Sequence, residues 1–428
     1  MTKPLASRVI IAFAVLAAAC GGGTATTTTT PGSATTVDPG PTIPVTTPTT
    51  AVVSIPTTTE TLVVWVEDLD LVAPVEERGA AYTASTGITV EVRVYAPPTE
   101  ALPEGPTATT LLSALVLDQI DGAADLYLGP HTWALTLAEA GRAEPVFLSD
   151  GIAASIVDAI SPRGYPLAVP LAIEGVVQVR NRALMPEAPA SVEAIACPAT
   201  GGCLLLPADG NADVHYPFLV AVGGYLFGRD PAGGYDIADL GISSAESIAG
   251  ATIFDTLLEA GTVDAAADEG AVIADFVAGN AALAWVHASG LAAIEASDRD
   301  IVVETLPTVG GNPAVTVFRT LGAYVNPFGE GKSEALDFAT NWLGDINGSA
   351  LVALAKGIAP VWVDAADPAM AAVVSSVAAG HTLPPIDDID RIWFEVSDDA
   401  KLPTAMYAIA VRYRARNPLV TSPVSGLP

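Results

Sequence analysis

Few side chains in this 428-residue chain combine type and spacing in a way that could carry chemistry. Glu174 and Asp213 are carboxylates, and two such groups roughly 5 to 9.5 Å apart would serve a glycoside hydrolase. Their separation in sequence leaves that possibility open. Against catalysis, the chain has no Gly-x-Ser-x-Gly elbow, no His-Glu-x-x-His pair, no Gly-x-x-x-x-Gly-Lys loop and no run of eight strand-helix units. His131 and His287 can each donate or accept a hydrogen bond, and a satisfied structural role is the expectation for both. Cys197 and Cys203 enclose Pro-Ala-Thr-Gly-Gly. A disulfide there would close a short loop and add about 2 kcal/mol on the chain-entropy estimate, the alternative being two buried thiols. A zinc site needs more ligands than this loop holds, so neither a metal nor a cofactor is expected.

The first sixty residues carry export chemistry. Lys3 and Arg8 precede an apolar run from Val9 to Ala19, which ends in Ala17-Ala18-Ala19-Cys20 and is followed by three glycines. That order marks a secretion signal, residues 1–19. The run is roughly 11 residues, about 16 Å as a helix, against the roughly 30 Å of a bilayer core. A cysteine at the new N-terminus resembles bacterial lipoproteins, which implies a lipid anchor at Cys20; stable anchoring needs two or more acyl chains. Leu16 stands one place earlier than the lipoprotein pattern has its leucine, and ordinary cleavage with release is the alternative. Residues 20–60 then form a Thr/Pro-rich tether, too poor in apolar mass to offset ordering entropy. As a coil it spans roughly 35 Å.

The body beyond residue 60 is long enough for one large core or two ordinary ones. Its charge narrows the partners: 48 acids against 18 bases give a formal net charge of -30. That balance disfavours nucleic acid and anionic lipid surfaces and suits a solvated acidic shell.

The elements that must hold these residues alternate between strand and helix. Leu62–Val66 reads as a buried strand, and Ile88–Val94 alternates with period two. Val72–Ser85 leaves room for a helix between them. Ala124–Leu128 reads as the next strand, and Tyr165–Val179 as a strand pair broken at Pro170. Ser243-Ser244-Ala245-Glu246 has the form of a capping box, opening a helix with Ile248, Ala251, Phe254, Leu257 and Leu258 on one face and Gly261 as its stop. Glu334–Leu343 is a further amphipathic helix. The pattern is α/β, without the short repeat of a solenoid or propeller.

In order and spacing these segments resemble the extracellular solute-binding proteins of ABC importers, in particular the maltose and maltodextrin-binding group. The resemblance rests on Leu62–Val66, on Thr86-Gly87-Ile88-Thr89-Val90, and on Ala124–His131. It continues through Gly164–Glu174, Asn181–Pro186, Gly223–Phe227, Tyr235–Ile242, Leu306-Pro307-Thr308 and Ile392-Trp393-Phe394. It implies a two-lobed fold with a ligand cleft between lobes joined by hinge crossings. One lobe would comprise 61–172 completed by 308–357, the other 173–307 completed by 358–428. It further implies hinge closure on a small solute, a carbohydrate, and a monomer that delivers it to membrane permease subunits outside the cell.

The same resemblance assigns residues. Glu174 matches a carboxylate that accepts hydrogen bonds from sugar hydroxyls, with a solvated loop acid as the alternative. Trp393 matches an aromatic platform for a pyranose face, with a core tryptophan as the alternative. Glu67 and Asp68, with Asp70, fall in a turn that carries polar ligand contacts. Several positions depart from the family. Gly129 replaces a tryptophan, Thr132 an aspartate and Trp133 an arginine, while Asn211, Asp213 and Ser289 replace a glutamate, a tyrosine and a second tryptophan. Two lost aromatic surfaces argue against a long maltodextrin, although Trp133, beside His131, is placed to restore one platform. A monosaccharide, disaccharide or polyol fits the remaining set best. Another small polar solute such as an amino acid or polyamine, and an adhesion or sensory module, are the other readings.

Overall fold

The computed structural model describes residues 60–96, 110–117, 124–207, 212–231, 235–362, 367–384 and 402–416. Cys20, Asn211 and Trp393 lie outside these residues. Among the described residues thirteen strands are defined. They are β1 (Thr61–Val66), β2 (Thr89–Val94), β3 (Leu126–Pro130), β4 (Val169–Asn181), β5 (Gly202–Pro207), β6 (Phe227–Arg229) and β7 (Tyr235–Leu240), then β8 (Val263–Ala266), β9 (Ala281–His287), β10 (Ile301–Glu304), β11 (Val317–Val325), β12 (Ala359–Pro360) and β13 (His381–Thr382). The main sheet runs β2-β1-β3-β11-β4-β9-β5-β8, with β10 and β12 also on β4 and β13 on β11; β6 and β7 pair separately. The fold is mixed α/β.

The opening of the chain follows its apolar period. Leu62, Val64 and Val66 alternate into the core while their neighbours are only half-buried, as expected of a strand with unequal faces. The crossover helix Val72–Thr86 returns the chain so that β2 lies parallel to β1, with β3 parallel on the other side. This is the connection that parallel strands require.

β4 is the strand on which the sheet turns. Its first half pairs antiparallel with β11 from Val169 to Gly175, and its second half pairs with β9 from Val176 to Arg180. One apolar cluster, with Ile173, Val177 and Val179, spans both halves, and two others each pack on one half. Val169 and Leu171 pack with Leu62, Val64, Leu126 and Phe338, whereas Val176 packs with Leu204, Phe218, Phe254 and Trp285. The strand continues through Pro170 without a break, and the ladder with β11 is irregular there: Leu321 faces Ala172 and Gly322 faces Pro170, which leaves Leu171 as the extra residue on β4. The irregularity accommodates a residue that cannot donate to the ladder.

Two helical expectations are adjusted. Ser244, one residue later than expected, caps the helix Ala245–Glu259 by accepting from the Ser247 amide at 3.1 Å. Ala251, Phe254 and Leu257 are buried, whereas Leu258 is exposed. The helix expected over Glu334–Leu343 begins as Lys332–Phe338 and widens into a π turn, Ala339–Leu343. Among the described residues no helix is long and apolar enough to cross a membrane.

Candidate functional site

The site is built where β4 changes partners. Glu174 lies directly opposite Arg319 of β11, and antiparallel partners of this kind project side by side from one face, with Cβ atoms about 5 Å apart. Two residues on, Val176 lies opposite His287, the last residue of β9. The period-two alternation therefore brings Glu174, Arg319 and His287 to the same face. Beyond His287 the chain turns through Ala288–Gly290, and Ser289 Oγ donates to Glu174 Oε1 at 2.6 Å.

Asp213 reaches this face from the first turn of the helix Ala212–Val220. It is buried, and its Oδ2 accepts both from His287 Nε2, at 3.0 Å, and from Arg319 Nη1. His287 Nδ1 donates to Glu269 Oε2 at 2.6 Å, while the His287 amide donates to the other oxygen of Glu269 at 2.7 Å. Glu269 opens the helix Glu269–Ala278, which Asp268 caps. Burial disfavours charge on His287, but the hydrogen bonds and charges of Asp213 and Glu269 outweigh it and push the imidazole up to about 10. Glu269 responds in the opposite sense: burial would raise it, and bonding to His287 holds it below the ordinary carboxylate value. Glu269, His287, Asp213 and Arg319 thus form a chain of alternating charge that ends beside Glu174.

A second polar group lies at the end of β1. Asp68 Oδ1 accepts from the Asp70 amide at 2.9 Å, capping the turn Leu69–Leu71, and its Oδ2 accepts from Lys356 Nζ. Burial works against the Asp68 charge, but these bonds leave the carboxyl below its usual range. Glu67 beside it is exposed. Lys356 ends the helix Ile346–Lys356, and Gly357 follows at φ 66°. A Cβ on Gly357 would lie 4.0 Å from the Ser289 carbonyl. The Lys356–Gly357 turn therefore lies against the turn that holds Ser289.

The remaining candidates are structural in their contacts. His131 is fully buried; Thr320 N donates to its Nδ1 at 3.1 Å, and its Nε2 donates to Leu383 O at 2.8 Å. That pattern requires the neutral ring, and burial, followed by the nearby Arg319 charge, brings its pKa down to about 4. Trp133 is 8% exposed and packs with Leu137 and Tyr324. Its ring lies over Gly129, where a Cβ would meet Trp133 Cε3 at 2.2 Å. Glycine at 129 is therefore what allows an indole at 133. Cys197 and Cys203 form a disulfide with their Cα atoms 4.9 Å apart.

Arg319 and Glu269 were not among the residues expected at the site. Arg319 had a visible sign, as the one charge within Val-Phe-Arg-Thr-Leu-Gly-Ala-Tyr-Val. Glu269 had none beyond its place in a helix's first turn. Together the site offers a partly exposed carboxylate, a hydroxyl and a guanidinium on a rigid sheet face, the means to hold a small polar molecule by directed hydrogen bonds.

The family model for bacterial extracellular solute-binding proteins matches residues 77–379. That span takes in β4, β9 and β11 and the helices that carry Asp213 and Glu269, begins after the Asp68 turn, and covers more than half of the chain's 428 residues. The chain belongs to the bacterial extracellular solute-binding proteins.

Proposed function

We propose that this protein is the substrate-binding lipoprotein of an ABC importer, capturing a small neutral carbohydrate or polyol and presenting it to a membrane permease. The observation that carries the reading is the junction of Glu174, Ser289, Arg319 and Asp213, four polar side chains from four separate segments meeting where β4 changes partners in the middle of the sheet. Ionised groups make the stronger hydrogen bonds, and hydroxyl-rich solutes supply both donors and acceptors to meet them. In this reading the two halves of β4 serve two lobes, 61–172 with 308–357 and 173–307 with 358–428. The ligand favours closure in proportion to its difference in affinity for the closed and open forms. Cys20 carries the lipid, residues 21–60 are the tether, and Trp393 supplies the stacking surface.

Thermal-shift screening of the exported body against sugars, polyols, amino acids and polyamines tests the substrate class. Stabilisation by a monosaccharide, disaccharide or polyol, weakened in Trp393→Ala, is the expected result. Stabilisation confined to amino acids or polyamines would replace the carbohydrate assignment.

A further inference from the structure

The alternating charges behind Glu174 end in a group with no evident need to be there. Arg319 interrupts an otherwise uncharged strand, and buried ion pairs are a weak source of stability, because desolvation offsets their attraction. Its placement is controlled nonetheless. Asp213 holds the guanidinium, His287 holds Asp213 through the same oxygen, and Glu269 holds His287 through both a ring nitrogen and the backbone amide. Despite these restraints, 32% of the Arg319 side chain stays exposed, whereas that of Asp213 is buried. Glu174 lies directly across from Arg319 on the neighbouring strand.

Charge bookkeeping indicates what such a pair recognises. Glu269, His287, Asp213 and Arg319 sum to zero when each is ionised, and Glu174 adds one negative charge. Among the described residues of the cluster, nothing favours an anion. A solute with neighbouring hydroxyls meets an acceptor and a donor on strands about 4.8 Å apart, each able to reach one oxygen.

We propose that Arg319 is a ligand-contacting, specificity-determining residue: its guanidinium donates to one hydroxyl of a neutral solute while the Glu174 carboxylate accepts from the adjacent one, and Asp213, His287 and Glu269 are positioning residues for the guanidinium. The inference rests on the carbohydrate reading above and narrows it to solutes with vicinal hydroxyls.

The test is calorimetric. The exported body is titrated with glucose, galactose, maltose, trehalose and myo-inositol, then with the monodeoxy analogues of whichever binds most tightly. The parent is expected to lose about tenfold or more on removal of one of two adjacent hydroxyls, the span of a charge-assisted hydrogen bond. In Arg319→Gln combined with Asp213→Asn, which removes the buried pair together, the intact ligand and that analogue should bind equally. Arg319→Lys keeps a charge against Asp213 without the planar fork, and carries the same comparison if the double variant does not fold. A variant that weakens both ligands by one factor, or keeps the parent's discrimination, overturns the role of Arg319 and leaves the carbohydrate reading standing. A parent that binds none of the five overturns both.

Discussion

Asp213 and Arg319 stand 106 residues apart in the chain, yet they meet at Asp213 Oδ2, the same oxygen that His287 Nε2 reaches at 3.0 Å. One buried carboxylate oxygen thus ties the start of a helix to the end of β9 and the middle of β11. The polar cluster is a structural joint as well as a candidate binding surface, and variants at each position separate the two roles.

Stability should depend on pH through His287. Its pKa is raised from an ordinary 6.5 to about 10 in the folded chain. The folded state therefore keeps a proton that the unfolded state releases, and this contribution is full below about pH 6.5 and is lost as pH climbs towards 10. Glu269 is held below its ordinary 4.5, so its contribution is present above that value and fades in acid. The cluster is strongest between about pH 4.5 and 6.5. Melting temperatures across pH 4 to 10 should show an alkaline decline that flattens in His287→Gln; an identical slope in the variant would contradict the assignment.

Removing the imidazole outright should cost far more than a surface change. His287→Ala leaves Asp213 and Glu269 without the cation between them, and breaking a buried charged pair costs about 3 to 5 kcal/mol. Urea unfolding would measure the loss, and a loss under about 1 kcal/mol would mean that the carboxylates find other partners.

Gly129 and Trp133 should behave as one unit. A methyl at 129 would sit 2.2 Å from the indole, and overpacking of this kind costs about 1 to 3 kcal/mol. Gly129→Ala should destabilise the parent but cost much less in a Trp133→Leu background, a coupling that a double-mutant cycle reads directly. Additive costs would place the strain elsewhere.

The disulfide should matter for stability and not for binding. Closing so short a loop restricts the unfolded chain by about 2 kcal/mol. The Cys197→Ser, Cys203→Ser double variant should unfold at correspondingly lower denaturant, with ligand affinity unchanged. A change in affinity would put the loop in contact with the ligand.

The elements legible in the sequence were those with local causes. The period-two apolar run of β1 and the helix preceding Gly87 needed no distant partner to be read. Pro170 misled because the irregularity that accommodates it, with Leu171 as the extra residue, exists only against β11, about 150 residues away in the chain. Glu174, Asp213 and Ser289 were expected at the site from resemblance, and the structure brings them into one group. Arg319 showed only as a lone charge in an apolar strand, and Glu269 showed no sign beyond its place in a first turn, because their significance comes from tertiary contacts to Asp213 and His287. Asp68 was recognisable as a turn acid, but its bond to Lys356 spans 288 residues.

The most direct test of the account is the affinity of Glu174→Gln for the carbohydrate or polyol that stabilises the parent. The substitution keeps the size of the side chain and removes its charge, so hydroxyls lose an ionised acceptor. The account predicts binding weakened by about tenfold or more, with the melting temperature of the unliganded protein nearly unchanged. Affinity equal to the parent's would show that the solute is held somewhere other than the junction of Glu174, Ser289 and Arg319.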